Sequence, residues 1–560
     1  MTDFNLLEEE FKTYNPLIFD LNSIEKLDIL SSNFDVQFSN NICFPEIRLG
    51  FHHFIHQAKD KMEIVNEYSK RKKIYLVTSL FEKNIDYKEK TESGIDYTSI
   101  ENGMKSFISK IKPDFPPILN RAFFKIWEIL IDFDLIPNID NFVSSHLAEG
   151  PGSFIQATIL YREMLFKLGK IKSCKKDNYY GVTLHSDHEH LLMQQDFIKY
   201  FSKEPIKRLH IMETKSLKEL KDLYGGNNNK SLITNGDITK LNTINQFAGA
   251  SNIESFAKPS DLITSDGGFD WKRENLQEQE AYRLIFSEIV SALKIQKDGG
   301  NFVIKIFESY TKVTIKMIEL LRQVYSNVYI VKPYTSRISN SEKYLICKEY
   351  KKSMISLKIL KKLEEQINIM NKNEQYQILD IFTDIKLTDS IQNSYKKINS
   401  ELLLKQYIGI NNIIKFINLD NYNGTEFNNY LDKQIIAAHF WNKMFLEPKI
   451  FDKIIKYFKK FNFLEKKNEI NKSENLLNSD NVINSDNVIN SENSVNSKKK
   501  KLSRMNKKIK NQKGGDFNNK NIEDELLLDF EDTSIKSSDE IIGKLNSDSE
   551  SDKIIDLNKI

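Results

Sequence analysis

An α/β fold built on a mostly parallel, roughly seven-stranded sheet is predicted for residues 116–350 from three observations. Short β-rich runs (141–147, 179–185, 231–234, 261–265, 301–307, 327–331 and 343–348) alternate with amphipathic helical stretches, notably 153–168 and 274–297. Such alternation is how parallel strands joined by helices are written in sequence. A strand ending in Ala148-Glu149-Gly150-Pro151-Gly152 runs into a helix that starts at Ser153. The run GGNFVIKIFE at 299–308 is nearly continuously apolar, as a strand buried on both faces should be.

The flanking segments have a different character. Residues 1–115 read as a mixed, mostly helical region, with helix-like apolar spacing over 45–68. Residues 351–465 return to helical periodicity with few Gly or Pro. From 466 to 560 the apolar density is lost, and a disordered tail is expected. It carries a short tandem repeat (478–497), nine positive charges and no negative one over 498–513, then 13 acidic and 5 basic residues over 516–560. The basic block can attract phosphates, and the acidic block can compete for it.

Composition bounds the rest. The chain has 560 residues, 40% hydrophobic, with 81 Lys and Arg against 78 Asp and Glu, a net charge of +3. That balance does not force a nucleic-acid reading. No run approaches the ~18 apolar residues of a membrane span. The acidic start MTDFNLLEEEF lacks the apolar core of a secretory signal, so an intracellular location is expected, with cytoplasm and nucleus not separated. Cys43, Cys174 and Cys347 stand too far apart in sequence for a disulfide framework or a zinc site of their own.

The chemistry-bearing residues sit at strand ends. In HLAEGPGSFIQ (146–156), Gly150 and Gly152 let a ligand lie against the backbone, as the first strand-to-helix turn of a nucleotide-binding sheet requires. Ile155 stands where a dinucleotide fingerprint wants a third glycine. In NGDITK (235–240), Asp237 follows a strand and can accept hydrogen bonds from ligand hydroxyls or amines; a turn residue has the same look. In DLITSDGGFDW (261–271), a strand delivers Asp266 to the edge before two glycines. Lys305 interrupts the apolar run 301–307, and a buried ammonium needs acidic partners, an opening to solvent or a catalytic task. In KPYTSRISNSEKYLIC (332–347), Arg337 and Glu342 precede the last strand, and Glu342 is a natural partner for Lys305. Lys125 in LNRAFFKIWEI (119–129) lies on a helix before the first strand of this region. The HHxxH pattern of His52, His53 and His56 lacks the glutamate of zinc proteases, and HSDHEH (185–190) has no supporting ligand set, so no metal is assigned.

In this order, the segments LNRAFFK, AEGPGSF, GDITK, SDGGF with ENLQEQ, GGNFVIKIF and KPYTSRISNSEKYLIC resemble the FtsJ/RrmJ-type 2′-O-methyltransferases, most closely the mRNA cap-specific branch. The resemblance covers residues 119–350. It implies a Rossmann-like methyltransferase domain and a catalytic tetrad at Lys125, Asp266, Lys305 and Glu342. It also implies S-adenosyl-L-methionine as cofactor, held by Asn120, Glu149, Gly150, Pro151, Gly152, Asp237 and Asp266. Ser153 and Glu149 depart from the small residues usual at those places. Arg337 is the implied RNA contact and the 5′ end of capped mRNA the implied partner, with no metal and no membrane. Methylation of ribosomal or transfer RNA, or RNA binding without catalysis, are the alternatives. Lys305 is the expected general base or the group that steers the 2′-hydroxyl. Burial and Lys125 push its pKa down while Asp266 and Glu342 push it up, and sequence does not give the sign.

Overall fold

Ten strands occur among the described residues: β1 (Leu17–Asp20), β2 (Val36–Ser39), β3 (Val143–Leu147), β4 (Asn178–Val182), β5 (Leu209–Ile211), β6 (Ser260–Ser265), β7 (Gln296–Ile306), β8 (Tyr325–Lys332), β9 (Lys343–Tyr350) and β10 (Gln377–Ile381). The computed structural model describes residues 17–48, 52–62, 64, 78–85, 97–186, 192–224, 233–268, 273–419 and 425–447. They lie within one unit, Met1–Phe461. The tail repeat and its charged blocks fall outside the described residues, as do 187–190 and 269–272.

Eight strands form one sheet in the order β1-β8-β9-β7-β6-β3-β4-β5. From β7 to β5 every pairing is parallel, whereas β9 runs antiparallel to both β7 and β8, and β1 antiparallel to β8. Parallel neighbours need long crossovers, and helices supply them: Ser153–Lys167 between β3 and β4, Gln195–Ser202 between β4 and β5, Tyr282–Ile295 between β6 and β7. β7 sits inside the sheet with helices on both faces, so Phe302, Val303 and Ile304 are fully buried and its sequence shows no alternation. One apolar cluster covers each face of the sheet; Trp127, Tyr161 and Trp441 are in the first, Phe286, Ile289 and Leu321 in the second.

The sheet departs from expectation in three places. Of the strand expected at 231–234, only 233–234 are described, and there Thr234 makes a single bridge to Thr214. β5 has three residues, too few to show a period. β1 comes from the N-terminal region and closes the far edge, four residues that sequence patterning does not separate from loop.

The segments on either side of 116–350 are built into the same unit. β2 and β10 pair as a small second sheet. On the helix Asp389–Leu419, Asn399 donates from Nδ2 to the carbonyls of Ile47 and Ser309, each at 2.7 Å. On the helix Thr425–Leu446, fully buried Trp441 donates from Nε1 to Glu128 Oε1 at 2.9 Å. Truncation of Trp441 removes a large packed ring and a hydrogen bond to a buried carboxyl. Trp441→Ala is therefore expected to cost about 3–5 kcal/mol of stability, read as a fall in denaturant midpoint. A midpoint equal to that of the wild type would mean that this helix is not part of the cooperative fold.

Candidate active site

Because β3, β6 and β7 are parallel neighbours, their C-terminal ends form one edge. That edge carries 148–152 after β3, Asp266 after β6 and Lys305 near the end of β7. β9 runs the opposite way and starts there, with Tyr344 opposite Lys305 and Glu342 just before it. The helix Ala122–Asp132 brings Lys125 to the same place.

All four tetrad residues meet, as two crossed pairs. Lys125 Nζ lies 2.6 Å from Glu342 Oε1 and donates to Oε2 at 2.9 Å. Lys305 Nζ donates to the Asp266 carbonyl at 2.8 Å and lies 3.2 Å from its Oδ1. The partner expected for Lys305 was Glu342; the direct contact is with Asp266, because Lys125 reaches Glu342 first and Glu342 acts on Lys305 only at longer range. Burial would raise the Glu342 carboxyl, but the Lys125 and Lys305 ammoniums hold it well below the usual carboxylate range. Burial disfavours the Lys305 ammonium, yet Asp266 and Glu342 outweigh it and raise its pKa. The structure thus supplies the missing sign: Lys305 rests as a cation.

The expected cofactor residues line the same edge. Gly152 has φ +116°, and a Cβ there would come 3.0 Å from Met193 Cε. Gly150 N donates to Thr183 Oγ1 at 3.2 Å, across the Gly150–Pro151 turn. Gly236, with φ +78°, lies so close to the end of β4 that a Cβ would sit 2.0 Å from the Thr183 carbonyl oxygen. This contact sets the Gly236–Asp237 turn against the end of β4; Asp237 Oδ1 accepts from Thr239 N at 2.9 Å and Oγ1 at 2.7 Å. Asn120 Oδ1 accepts from Ala122 N at 2.7 Å and Ser153 Oγ at 2.9 Å, tying the Lys125 helix to the start of the next. Glu149 is buried, and its Oε1 accepts from the N–H groups of Phe154 and Ile155 at 2.8 and 2.9 Å, an end cap for that helix. A tight glycine turn at a helix start, flanked by the carboxylates of Asp237 and Asp266, suits a nucleoside-bearing cofactor such as S-adenosylmethionine.

Several residues essential to this geometry escaped sequence reasoning. The Tyr344 hydroxyl donates to Asp266 Oδ1 at 3.3 Å and also lies in the field of Glu342, between the two pairs. Lys332 Nζ donates to the Glu342 carbonyl at 2.7 Å, and Ser336 Oγ to Glu342 Oε1 at 3.1 Å. Glu128, one turn along the helix from Lys125, accepts from Tyr334 N at 2.6 Å and Thr335 N at 3.0 Å; burial pushes its carboxyl up to about 7. Arg337, the expected RNA contact, donates from Nε to Glu82 Oε1 at 2.7 Å, and Arg121 Nη1 shares that oxygen at 2.6 Å. Only the contact pattern reveals these roles, since Tyr344 reads as core and Glu82 lies far away in the chain. Among the described residues no group of three or more His, Cys, Asp or Glu could hold a metal, and no helix is long and apolar enough to cross a membrane.

Residues 118–350 match the family model described as FtsJ-like methyltransferase, which bears out the resemblance over that domain. An uncharacterized protein of Acanthamoeba polyphaga mimivirus is 29% identical over 313 residues, 54% of this chain and 35% of its own length. Cap-specific mRNA (nucleoside-2′-O-)-methyltransferase 2 of Drosophila melanogaster is 28% identical over 239 residues, 41% of this chain and 30% of its own. Cap-specific mRNA (nucleoside-2′-O-)-methyltransferase 1 of Trypanosoma brucei brucei is 36% identical over 114 residues, 20% of this chain and 30% of its own. The matches thus span about a third of the curated relatives' lengths.

The buried Lys125–Glu342 pair yields a test of this geometry. Lys125→Met leaves a buried carboxylate without its nearest cation and should cost about 3–5 kcal/mol at pH 7, whereas Lys125→Met with Glu342→Gln should recover part of it. The native Glu342 pKa is depressed, so its stabilisation is full above the unfolded value and is lost as pH falls. The deficit of the single variant should therefore shrink in acid. Denaturant titrations at pH 7 and pH 4 measure both effects, and a deficit that grows in acid contradicts the assignment.

Proposed function

We propose that this FtsJ-like methyltransferase domain transfers a methyl group from S-adenosylmethionine to the ribose 2′-hydroxyl of the nucleotide next to an mRNA cap. The observation that carries the reading is the Lys125–Glu342 and Lys305–Asp266 pairing beside the Gly150–Gly152 turn. The cap-specific substrate is supported by the names of the Drosophila and trypanosome relatives.

When bound, S-adenosylmethionine supplies a methyl carbon already activated by a sulfonium. Gly150, Pro151, Gly152, Asn120 and Asp237 form the cofactor wall, and Glu149, buried behind the turn, caps the helix that follows it. The protein's larger contribution is alignment, which can lower a barrier by about 7–11 kcal/mol. Lys305, held by Asp266 on one side and by the field of Glu342 on the other, presents its ammonium to the acceptor oxygen and orients it. As the carbon–oxygen bond forms, the 2′-hydroxyl loses its proton, and Lys305 takes it only from its neutral amine form, having first released its own proton to solvent. Its burial pushes in that direction, as does any second cation brought beside it. Lys125 neutralises Glu342, so that Glu342 raises the Lys305 pKa less than a bare carboxylate would. Arg337 and Arg121 remain partly exposed beside Glu82 and would be the side chains to meet RNA phosphates.

Lys305→Ala should abolish methyl transfer while leaving S-adenosylmethionine affinity within a few-fold, measured by calorimetry beside a transfer assay. A folded variant with near-wild-type turnover overturns the role of Lys305. Asp237→Ala should raise the cofactor KM with little change in kcat; the reverse split would place Asp237 at the reacting atoms. Free cap analogue should compete with capped RNA, and absence of competition would point to ribosomal or transfer RNA instead.

A further inference from the structure

We infer that Glu288 is a positioning residue for Lys305: a buried carboxyl group beneath the Asp266–Gly268 turn that gives the lysine a third acidic neighbour beside Asp266 and Glu342. The inference deepens the reading above, since it concerns the lysine which that reading puts at the acceptor oxygen.

The two glycines after Asp266 show the arrangement. A Cβ on Gly267 would fall 2.2 Å from Glu288 Oε1 and 3.1 Å from its Cδ, so the carboxyl occupies the space beside the Gly267 Cα. A Cβ on Gly268 would fall 3.3 Å from Lys305 Nζ. Gly267 therefore rests on the acid and Gly268 on the lysine, and Asp-Gly-Gly is the thin partition between them. Glu288 projects from the helix Tyr282–Ile295 and is 1% exposed. Its nearest polar neighbours are the Ser265 hydroxyl and the Gly267 backbone N–H. A carboxyl kept in such a place costs stability unless its charge has a use.

Burial pushes Glu288 up to about 8, with the Ser265 hydroxyl and Lys305 pulling it down and Asp266 pushing it up. Lys305 is faced by Asp266 at the end of β6, Glu342 before β9 and Glu288 from its helix. Tyr344 on β9 and Lys125 on its helix act on those acids. Glu288 is thus largely neutral at pH 7 and charged at pH 9, where it raises the Lys305 pKa. It tightens the ammonium as the solution becomes alkaline.

Trace acetylation with acetic anhydride, quantified per lysine by mass spectrometry, reads the free-amine fraction of Lys305 and needs neither RNA nor cofactor. In Glu288→Gln, Lys305 should label at the wild-type rate near pH 6.5 and about threefold or more faster near pH 9.5, a shift of about half a pH unit or more. Exposed Lys105 and Lys199 should not change. A Glu288→Gln to wild-type ratio that is the same at both pH values overturns the inference. Should neither Glu288→Gln nor Glu288→Met fold, the wild type alone decides. Its Lys305 labelling should rise about threefold less than that of Lys105 and Lys199 between pH 7 and pH 9, and an equal rise overturns the inference. A labelling shift without methyl transfer to any RNA would sink the proposed function and leave the role of Glu288 standing.

Discussion

The structure turns on four largely buried charges that must neutralise one another. Lys125, Glu342, Lys305 and Asp266 lie at one sheet edge in a medium where a lone ion is very costly. Each comes from a different element: a helix, the loop before β9, β7, and the end of β6. None of these elements can shift without leaving a charge unpaired, so the crossed pairs fix the register of the site as well as its chemistry. Glu128 strengthens the same link, because the helix that supplies Lys125 also holds the backbone of Tyr334 and Thr335, eight residues or fewer from Glu342.

The regions flanking residues 118–350 act as braces for that edge. Lys59, on the helix His52–Lys61, pairs with buried Glu308 just past β7. Glu82 holds Arg121 and Arg337 together. From the other end of the chain, Gln406 donates to the Ser339 carbonyl at 3.2 Å, and a Cβ on Gly409 would come 2.4 Å from Ile338 Cγ2. The loop that carries Glu342 is therefore pressed from the C-terminal helical region while its arginine is held from the N-terminal one. The catalytic geometry proposed here needs the whole unit.

The legible part of the site was the part that breaks a local pattern. Lys305 stood out because an ammonium interrupts an apolar strand, and Asp266 because a strand ends there in two glycines. Lys125 carries no such mark; on its helix it looks like any lysine, and only the order of motifs picked it out. Glu342 reads as a lysine's partner, but sequence does not show that the nearer ammonium is that of Lys125 and not of Lys305. Tyr344 hides as a core aromatic. Glu288 hides because its helix is covered on nearly all sides, so a charged residue there has no polar face to signal it. β1 and β5 are too short for a period of two to appear. The need for glycine at 236 exists only once the loop lies against the Thr183 carbonyl, a contact made across a long gap in sequence.

The central claim is that this edge directs a methyl group to one ribose hydroxyl beside a cap. It is tested most directly by incubating the protein with methyl-labelled S-adenosylmethionine and matched capped and uncapped RNA, then locating the label by nuclease digestion and mass spectrometry. The account predicts label on the 2′-oxygen of the nucleotide adjoining the cap in capped RNA, with little on the uncapped strand. Equal labelling of both RNAs, label on a base, or none on either would contradict it.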